Sequence, residues 1–128
     1  MKKIMLVILL MIELNSYLVY SQSLFVPNAL MPLDTTTDAR WFLPKGKSLK
    51  TYRLQIFNTW GTLLFETSAI DAIGCPTEGW DGTFNGLLCQ QDVFVWKIDA
   101  TFLSGRPWLG KLYPDGKLKQ TGTVTLIK

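Results

Sequence analysis

The stretch that decides the fold is Val93–Phe102, which reads Val-Phe-Val-Trp-Lys-Ile-Asp-Ala-Thr-Phe. Successive side chains of a strand point to opposite faces, so one face of this stretch carries only apolar groups. That face consists of Phe94, Trp96, Ile98, Ala100 and Phe102. A wholly apolar face has to be buried against another layer. The stretch therefore predicts a long strand in a two-layered β-protein.

The same period of two recurs on both sides of this strand. It is clear in Tyr52–Asn58, where Tyr52 begins the apolar face, and it returns in Thr121–Ile127. Thr62–Thr67 is the natural hairpin partner of Tyr52–Asn58, and the intervening turn ends at Gly61, which can supply a positive φ. These segments predict antiparallel pairing around the central strand.

Shorter apolar segments and turn signals fill the rest of the chain. Leu24–Val26 and Trp41–Leu43 are brief strands bounded by prolines, while Asp81-Gly82 and Asn85-Gly86 are turn dipeptides. The pattern contains no convincing helix. Six or seven short strands with such turns predict an all-β fold, an immunoglobulin-like antiparallel β-sandwich, with a small barrel as the structural alternative.

The N-terminus has the layout of a secretory signal peptide. Two lysines precede Ile4–Ile12, an unbroken apolar run of nine residues, and a short polar region leads to Ser21 and Gln22. A membrane-spanning helix needs roughly 20 apolar residues, and an uncleaved anchor would place Glu13 in hydrocarbon. We therefore expect cleavage between Ser21 and Gln22 and no stable membrane span afterwards.

Residues 1–21 are thus expected to be a signal peptide, and residues 22–128 a single β-sandwich domain. The whole chain of 128 residues has a formal charge of +3, and charges of both signs are interspersed. Nucleic-acid binding requires a dense cluster of basic residues, and the sequence contains no such cluster. We therefore expect no nucleic-acid partner.

The residue inventory argues against catalysis. The chain contains no histidine, which excludes a histidine base and the Ser-His-Asp and Cys-His arrangements. A glycosidase would need two facing carboxylates, but Asp81 and Asp92 stand where aspartate usually holds a turn. Asp34 and Asp38 would make a weak calcium site with only two carboxylates. We expect a non-enzymatic protein without catalytic, metal-binding or cofactor-binding residues, and without a cofactor.

Five tryptophans invite a carbohydrate-binding interpretation. Trp60, Trp80 and Trp96 belong to strand-like blocks, so we predict that they pack in the core. Trp41 and Trp108 stand beside loops and are the better candidates for exposed contact surfaces.

Cys75 and Cys89 are the two cysteines, and they flank a Gly-Trp-Asp-Gly turn. In an exported chain they could form one disulfide, closing a loop of about 14 residues and stabilising the fold by about 3 kcal/mol. The alternative is two separate thiols. The sequence leaves both possibilities open.

The order of these blocks resembles one family, the gliding-motility-associated C-terminal domain, which is the type B sorting domain of the type IX secretion system. The resemblance extends from Phe25 to Lys128 and rests on five blocks in order. One departure is the loop Leu33–Ala39, which replaces a glycine-rich acidic turn of the family. The matching residues, implied to serve as scaffold or recognition positions, are Asn28, Tyr52, Asn58, Trp60, Gly61, Trp80, Asp81, Gly82, Gly86, Trp96, Gly122 and Lys128.

The resemblance implies a domain that directs exported proteins across the outer membrane and attaches them to the cell surface. The implied partners are the outer-membrane translocon and the surface-attachment proteins of that system. If the terminal strand Gly122–Lys128 lies at a sheet edge, it could pair with a receptor strand. Such domains normally follow a large cargo, so the chain is either a small protein made mostly of its sorting domain or a fragment. The alternative function is a stand-alone surface adhesin or carbohydrate-binding β-sandwich module.

Overall fold

The computed structural model describes residues 23–128 and shows an all-β protein. The predicted signal peptide and its cleavage position, Ser21–Gln22, lie outside the described residues. Within them are eleven strands and a 3-10 helix, Asp38–Arg40. The strands are β1 (Leu24–Phe25), β2 (Ala29–Leu30), β3 (Lys45–Gly46), β4 (Leu49–Phe57), β5 (Leu63–Thr67), β6 (Thr83–Phe84), β7 (Leu87–Leu88), β8 (Val93–Phe102), β9 (Lys111–Leu112), β10 (Leu118–Lys119) and β11 (Thr121–Leu126). No helix in this range is long and apolar enough to cross a membrane.

The main layer is a five-stranded sheet with the order β2-β11-β8-β4-β5. The β11, β8, β4 and β5 strands are antiparallel neighbours, whereas β2 runs parallel to β11. Across the sheet, β11-β8-β4-β5 corresponds to the G-F-C-C′ arrangement of variable-type immunoglobulin domains. Strand β11 lies inside this sheet, between β2 and β8, so the prediction that the terminal strand could be a free edge is wrong.

One face of the main sheet forms the core. Burial alternates along β8 as the sequence predicts, and the same alternation holds in β4 and β11. The buried residues of these three strands are Leu49, Tyr52, Leu54, Ile56, Phe94, Trp96, Ile98, Ala100, Phe102, Val124 and Leu126. At about 25 cal/mol per Å² of buried apolar surface, such a face is the main source of stability in a domain of this size.

The second layer consists of short strand pairs and loops. It contains three two-stranded sheets, β1-β3, β6-β7 and β9-β10, and isolated bridges outside them, including one between Phe42 and Trp80. Leu24, Val26, Phe42, Trp80 and Trp108 bring this layer's apolar side chains into the common core. The predicted two-layered β-sandwich is confirmed, although the second layer is built from more and shorter strands than the sequence pattern indicates.

The two cysteines lie near opposite ends of β8 and form no disulfide. The residue beside Cys75 accepts a hydrogen bond from Leu49, which pairs with the last residue of β8. The Cys89 backbone amide donates to the Gly82 carbonyl, and a Cβ atom at position 82 would lie 3.0 Å from Leu126, which is next to the start of β8. Ten residues of strand span about 30 Å, whereas a disulfide requires Cα atoms within about 7 Å. Of the two possibilities left open by the sequence, the structure has two separate thiols.

Candidate recognition surface

The Trp-Asp-Gly block is part of the scaffold. Trp80 is fully buried, stacks edge-to-face on Phe94 with ring centroids 5.0 Å apart, and donates its indole N–H to the Thr83 carbonyl at 3.0 Å. The Asp81 carboxylate accepts hydrogen bonds from the Thr83 amide at 3.0 Å and the Thr83 hydroxyl at 2.6 Å. Gly82 follows with a φ of +83°. The predicted turn role of Asp81 is confirmed, and the block fixes how the second layer meets the sheet.

Asp92 has the local role that the sequence predicts. Its carboxylate accepts a hydrogen bond from the Val93 amide at 2.7 Å, directly before β8 begins. Its backbone carbonyl accepts the Leu126 amide at 2.9 Å. Asp92 therefore holds the start of the central strand against β11.

Tyr52, Trp96 and Gly122 also belong to the scaffold. Gly122 lies opposite Trp96 in the β11–β8 register, and a Cβ atom at position 122 would lie 2.6 Å from Cζ2 of the indole. Trp96 and Tyr52 are buried, and neither the indole N–H nor the phenol hydroxyl has a hydrogen-bond partner within residues 23–128. Burial raises the pKa of Tyr52. These three residues are explained by packing alone.

The turn between β4 and β5, Asn58–Gly61, is different, because it is rigid and carries an exposed indole. The Asn58 side-chain carbonyl accepts hydrogen bonds from the amides of Trp60 at 3.0 Å and Thr62 at 2.9 Å. The backbone adds bonds from Gly61 to Asn58 at 3.1 Å and from Asn58 to Thr62 at 3.0 Å. Gly61 has a φ of +87°, as predicted. We call this turn the hairpin tip.

Trp60 is 90% exposed at the hairpin tip, so the prediction that it packs in the core is wrong. The reason is its place in the chain: β4 ends at Phe57, and Trp60 stands in the turn instead of in the strand. A tryptophan in that environment buries little of its large apolar surface in the isolated domain. It is the most exposed of the large hydrophobic side chains in the described part of the chain.

Of the two tryptophans predicted to lie at the surface, one is buried and one is exposed. Trp108 is only 5% exposed, which contradicts its predicted surface position. Its amide donates to the Ala100 carbonyl at 2.9 Å, and its ring centroid lies 6.4 Å from that of Trp96. Trp41 is 39% exposed, as predicted, with the guanidinium of Arg40 5.4 Å from its ring centroid.

Other family-motif residues lie at the surface with local roles. Asn28 accepts a hydrogen bond from the Lys111 ammonium through its side chain and one from the Thr125 amide, at 3.0 Å, through its carbonyl. Gly86 has a φ of +78° in the β6–β7 turn. The Lys128 amide donates to the Gln91 side chain at 3.1 Å. These contacts account for the backbone at each position.

The loop that departs from the family pattern holds itself together. The Asp34 carboxylate accepts hydrogen bonds from Thr36 and Thr37, and the bonds from Thr36 are the main reason that its pKa is lowered. The Asp38 carboxylate forms an ion pair with the Lys45 ammonium at 3.6 Å, so it does not join Asp34 in a cation site. Within residues 23–128 no group of three or more acidic, cysteine or histidine side chains comes together to hold a metal ion.

A second exposed surface escapes the sequence analysis. Phe25, Leu109, Leu112 and Leu118 are all largely exposed and line one cleft of about 480 Å³. The sequence contains only a weak signal for this surface. Three of its residues are leucines in a segment rich in glycine and proline, a composition typical of an ordinary loop.

Comparison with known proteins gives no match, neither to a family model nor to a curated protein nor to a solved structure. Assignment of a function therefore rests on the sequence blocks and on where the fold places them. Of the family-motif residues, Trp60 combines a large apolar side chain with nearly full exposure. The hairpin tip is accordingly the candidate recognition surface.

Proposed function

We propose that this protein is an exported, non-enzymatic sorting domain of the type IX secretion kind. Outer-membrane proteins of that system recognise its folded surface, carry it across the outer membrane and attach it to the cell surface. The observation that carries the proposal is the hairpin tip. There, Trp60 is 90% exposed on a turn whose backbone is fixed by hydrogen bonds. Exposed, preorganised tryptophans are typical anchors of protein interfaces.

The family-motif residues fall into a buried structural group and an exposed residue, and this difference supports the proposal. Trp80, Asp81, Trp96 and Gly122 stabilise the sandwich, whereas Trp60 has no packing role that would require its size. A rigid sandwich that presents a residue on a turn separates recognition from folding. A domain that is recognised through its folded surface can therefore vary or lose the presented residue without losing its fold.

A reporter fusion tests the proposal. Residues 22–128 are fused behind a periplasmic reporter in a host with the type IX system, and reporter at the cell surface is measured by protease accessibility. The unmodified domain should move the reporter to the surface. Trp60→Ala should lower the surface fraction by about tenfold or more, because truncating a central aromatic anchor costs about 2 kcal/mol or more of binding. Its unfolding free energy should stay within about 0.5 kcal/mol of the unmodified value, because the side chain is exposed.

The matched control is Ile73→Ala, which removes another large exposed side chain from a loop elsewhere in the domain. It should leave surface export unchanged. If the unmodified domain leaves the reporter in the periplasm, or if Trp60→Ala and Ile73→Ala behave alike, the proposal is wrong.

The exposed Trp60 indole also favours a second candidate, a surface adhesin or carbohydrate-binding module, since sugars stack on such rings. A glycan array with the purified domain distinguishes the two. This second function would be favoured if the domain bound a glycan, if Trp60→Ala abolished that binding, and if the unmodified domain left the fused reporter in the periplasm.

A further inference from the structure

The cleft lies between β1 and the segment Arg106–Leu112, and we call it the β1–β9 cleft. Its floor reaches the core at Phe102 and Trp108. In its walls, Phe25 is 65% exposed and Leu112 is 68% exposed. A contiguous apolar surface of this kind on a small domain marks a binding site more often than a scattered set of single residues does.

The cleft is cationic as well as apolar. Arg106 and Lys111 line it, and none of the residues lining it is acidic. The Lys111 ammonium is held in place by hydrogen bonds to the Val26 carbonyl, at 3.3 Å, and to the Asn28 side chain, and burial lowers the pKa of Lys111. Neither acceptor is charged, and no salt bridge within residues 23–128 includes Arg106 or Lys111. The site therefore favours a ligand that brings a carboxylate to these cations.

Both walls also contain strands with an unpaired edge. Strand β1 pairs with β3 alone, and β9 pairs with β10 alone, so each has one edge without a strand partner in the described part of the chain. Leu24 and Phe25 of β1 and Lys111 and Leu112 of β9 line the cleft. Free strand edges bind an extended peptide by adding it as a further strand. This feature favours a peptide over an anionic lipid, which has no amide groups to pair.

We propose that the β1–β9 cleft binds an extended segment of another protein in which apolar residues alternate with at least one aspartate or glutamate. The apolar side chains contact Phe25 and Leu112, the carboxylate pairs with Lys111 or Arg106, and the peptide backbone pairs with the free edge of β1 or β9. This interaction is independent of the hairpin tip and of the proposed sorting function.

The test uses the purified protein and a phage-displayed library of random octapeptides. Selection should enrich peptides in which apolar and acidic residues alternate. A synthetic copy of an enriched peptide is then titrated by fluorescence anisotropy. Phe25→Ser and Arg106→Gln should each weaken binding by about tenfold, since each removes one part of the interface. Methylation of alternate backbone amides of the peptide should abolish binding.

Two matched variants control for non-specific effects. Leu87→Ser removes a large apolar side chain outside the cleft that is 74% exposed, and Lys47→Gln removes an exposed cation in another loop. Both should bind the peptide like the unmodified protein. Circular dichroism and thermal unfolding verify that each variant is folded, and Arg106→Gln keeps the test valid if Phe25→Ser does not fold.

Several outcomes would overturn the proposal. They are a failure to enrich any peptide, enrichment of basic peptides, and equal binding by the cleft variants and their controls. Competition with sodium laurate addresses the other ligand class. If laurate binds the cleft while no peptide does, the site is a lipid site and the peptide proposal is wrong.

Discussion

Gly122→Ala should destabilise the protein, because position 122 has no room for a methyl group. The added Cβ would lie 2.6 Å from Cζ2 and 2.8 Å from Cε2 of Trp96, and it would also approach the Tyr113 hydroxyl. Tyr113 is only half-buried and can move, but Trp96 is fully buried in a close-packed core and cannot. Overpacking costs about 1–3 kcal/mol, and alanine regains about 0.5 kcal/mol over glycine within a strand. We expect a net loss of about 1.5 kcal/mol, within a range of about 0.5–2.5 kcal/mol.

Urea and thermal unfolding measure this loss. A loss of about 1.5 kcal/mol should lower the melting temperature of a domain of this size by about 7 °C. Thr123→Ala, on the opposite face of the same strand, should change the free energy of unfolding by less than about 0.5 kcal/mol. In a Trp96→Phe background, Gly122→Ala should cost at least about 1 kcal/mol less, since the smaller ring relieves the overlap. The reasoning is refuted if Gly122→Ala is neutral or if its effect adds to that of Trp96→Phe.

The remaining predictions concern Tyr52, Asp34 and the two cysteines. Tyr52→Phe removes a buried hydroxyl without a partner, so stability in urea should stay constant or rise by about 1 kcal/mol; a clear loss would contradict this. Because burial raises the pKa of Tyr52, stability should fall as the pH rises above about 10, and Tyr52→Phe should reduce that fall. By carboxyl NMR, Asp34 should titrate below its ordinary pKa of 3.8, and Thr36→Ala should move it upward; an unchanged pKa would show that the hydroxyl bond is not the cause. Thiol titration of the protein, purified without reductant and then unfolded, should give two free thiols, Cys75 and Cys89, whereas a disulfide would contradict their separation.

The long strands could be predicted because their periodicity is complete. In Val93–Phe102, five apolar residues alternate with mostly polar ones, and no helical arrangement places them on one face. Tyr52–Asn58 and its hairpin partner were found for the same reason, helped by a glycine at the position that needs a positive φ. These segments predict β8, β4 and β5, which are three of the five strands of the main sheet.

The second layer could not be predicted in detail, because two-residue strands have no periodicity to detect. The burial of Trp108 depends on a loop that folds back onto β8 through a bridge between Thr101 and Pro107. The prediction that Trp60 is buried fails for the opposite reason. Phe57 is the last residue of the strand, and Trp60 lies in the turn that follows, although it belongs to the same sequence block. Tertiary contacts decide the position of Trp108, whereas the local turn decides that of Trp60.

The interior position of β11 changes how the C-terminus of this domain can be studied. Deleting Gly122–Lys128 would remove most of a strand that pairs with β8 on one side and β2 on the other, together with the buried Val124 and Leu126. Losing two such side chains costs several kcal/mol, which is comparable to the whole stability of a small domain. Loss of export after such a deletion would therefore report unfolding, whatever the receptor contacts. Recognition can be separated from folding only at positions like Trp60, where the side chain contributes to the surface and not to the core.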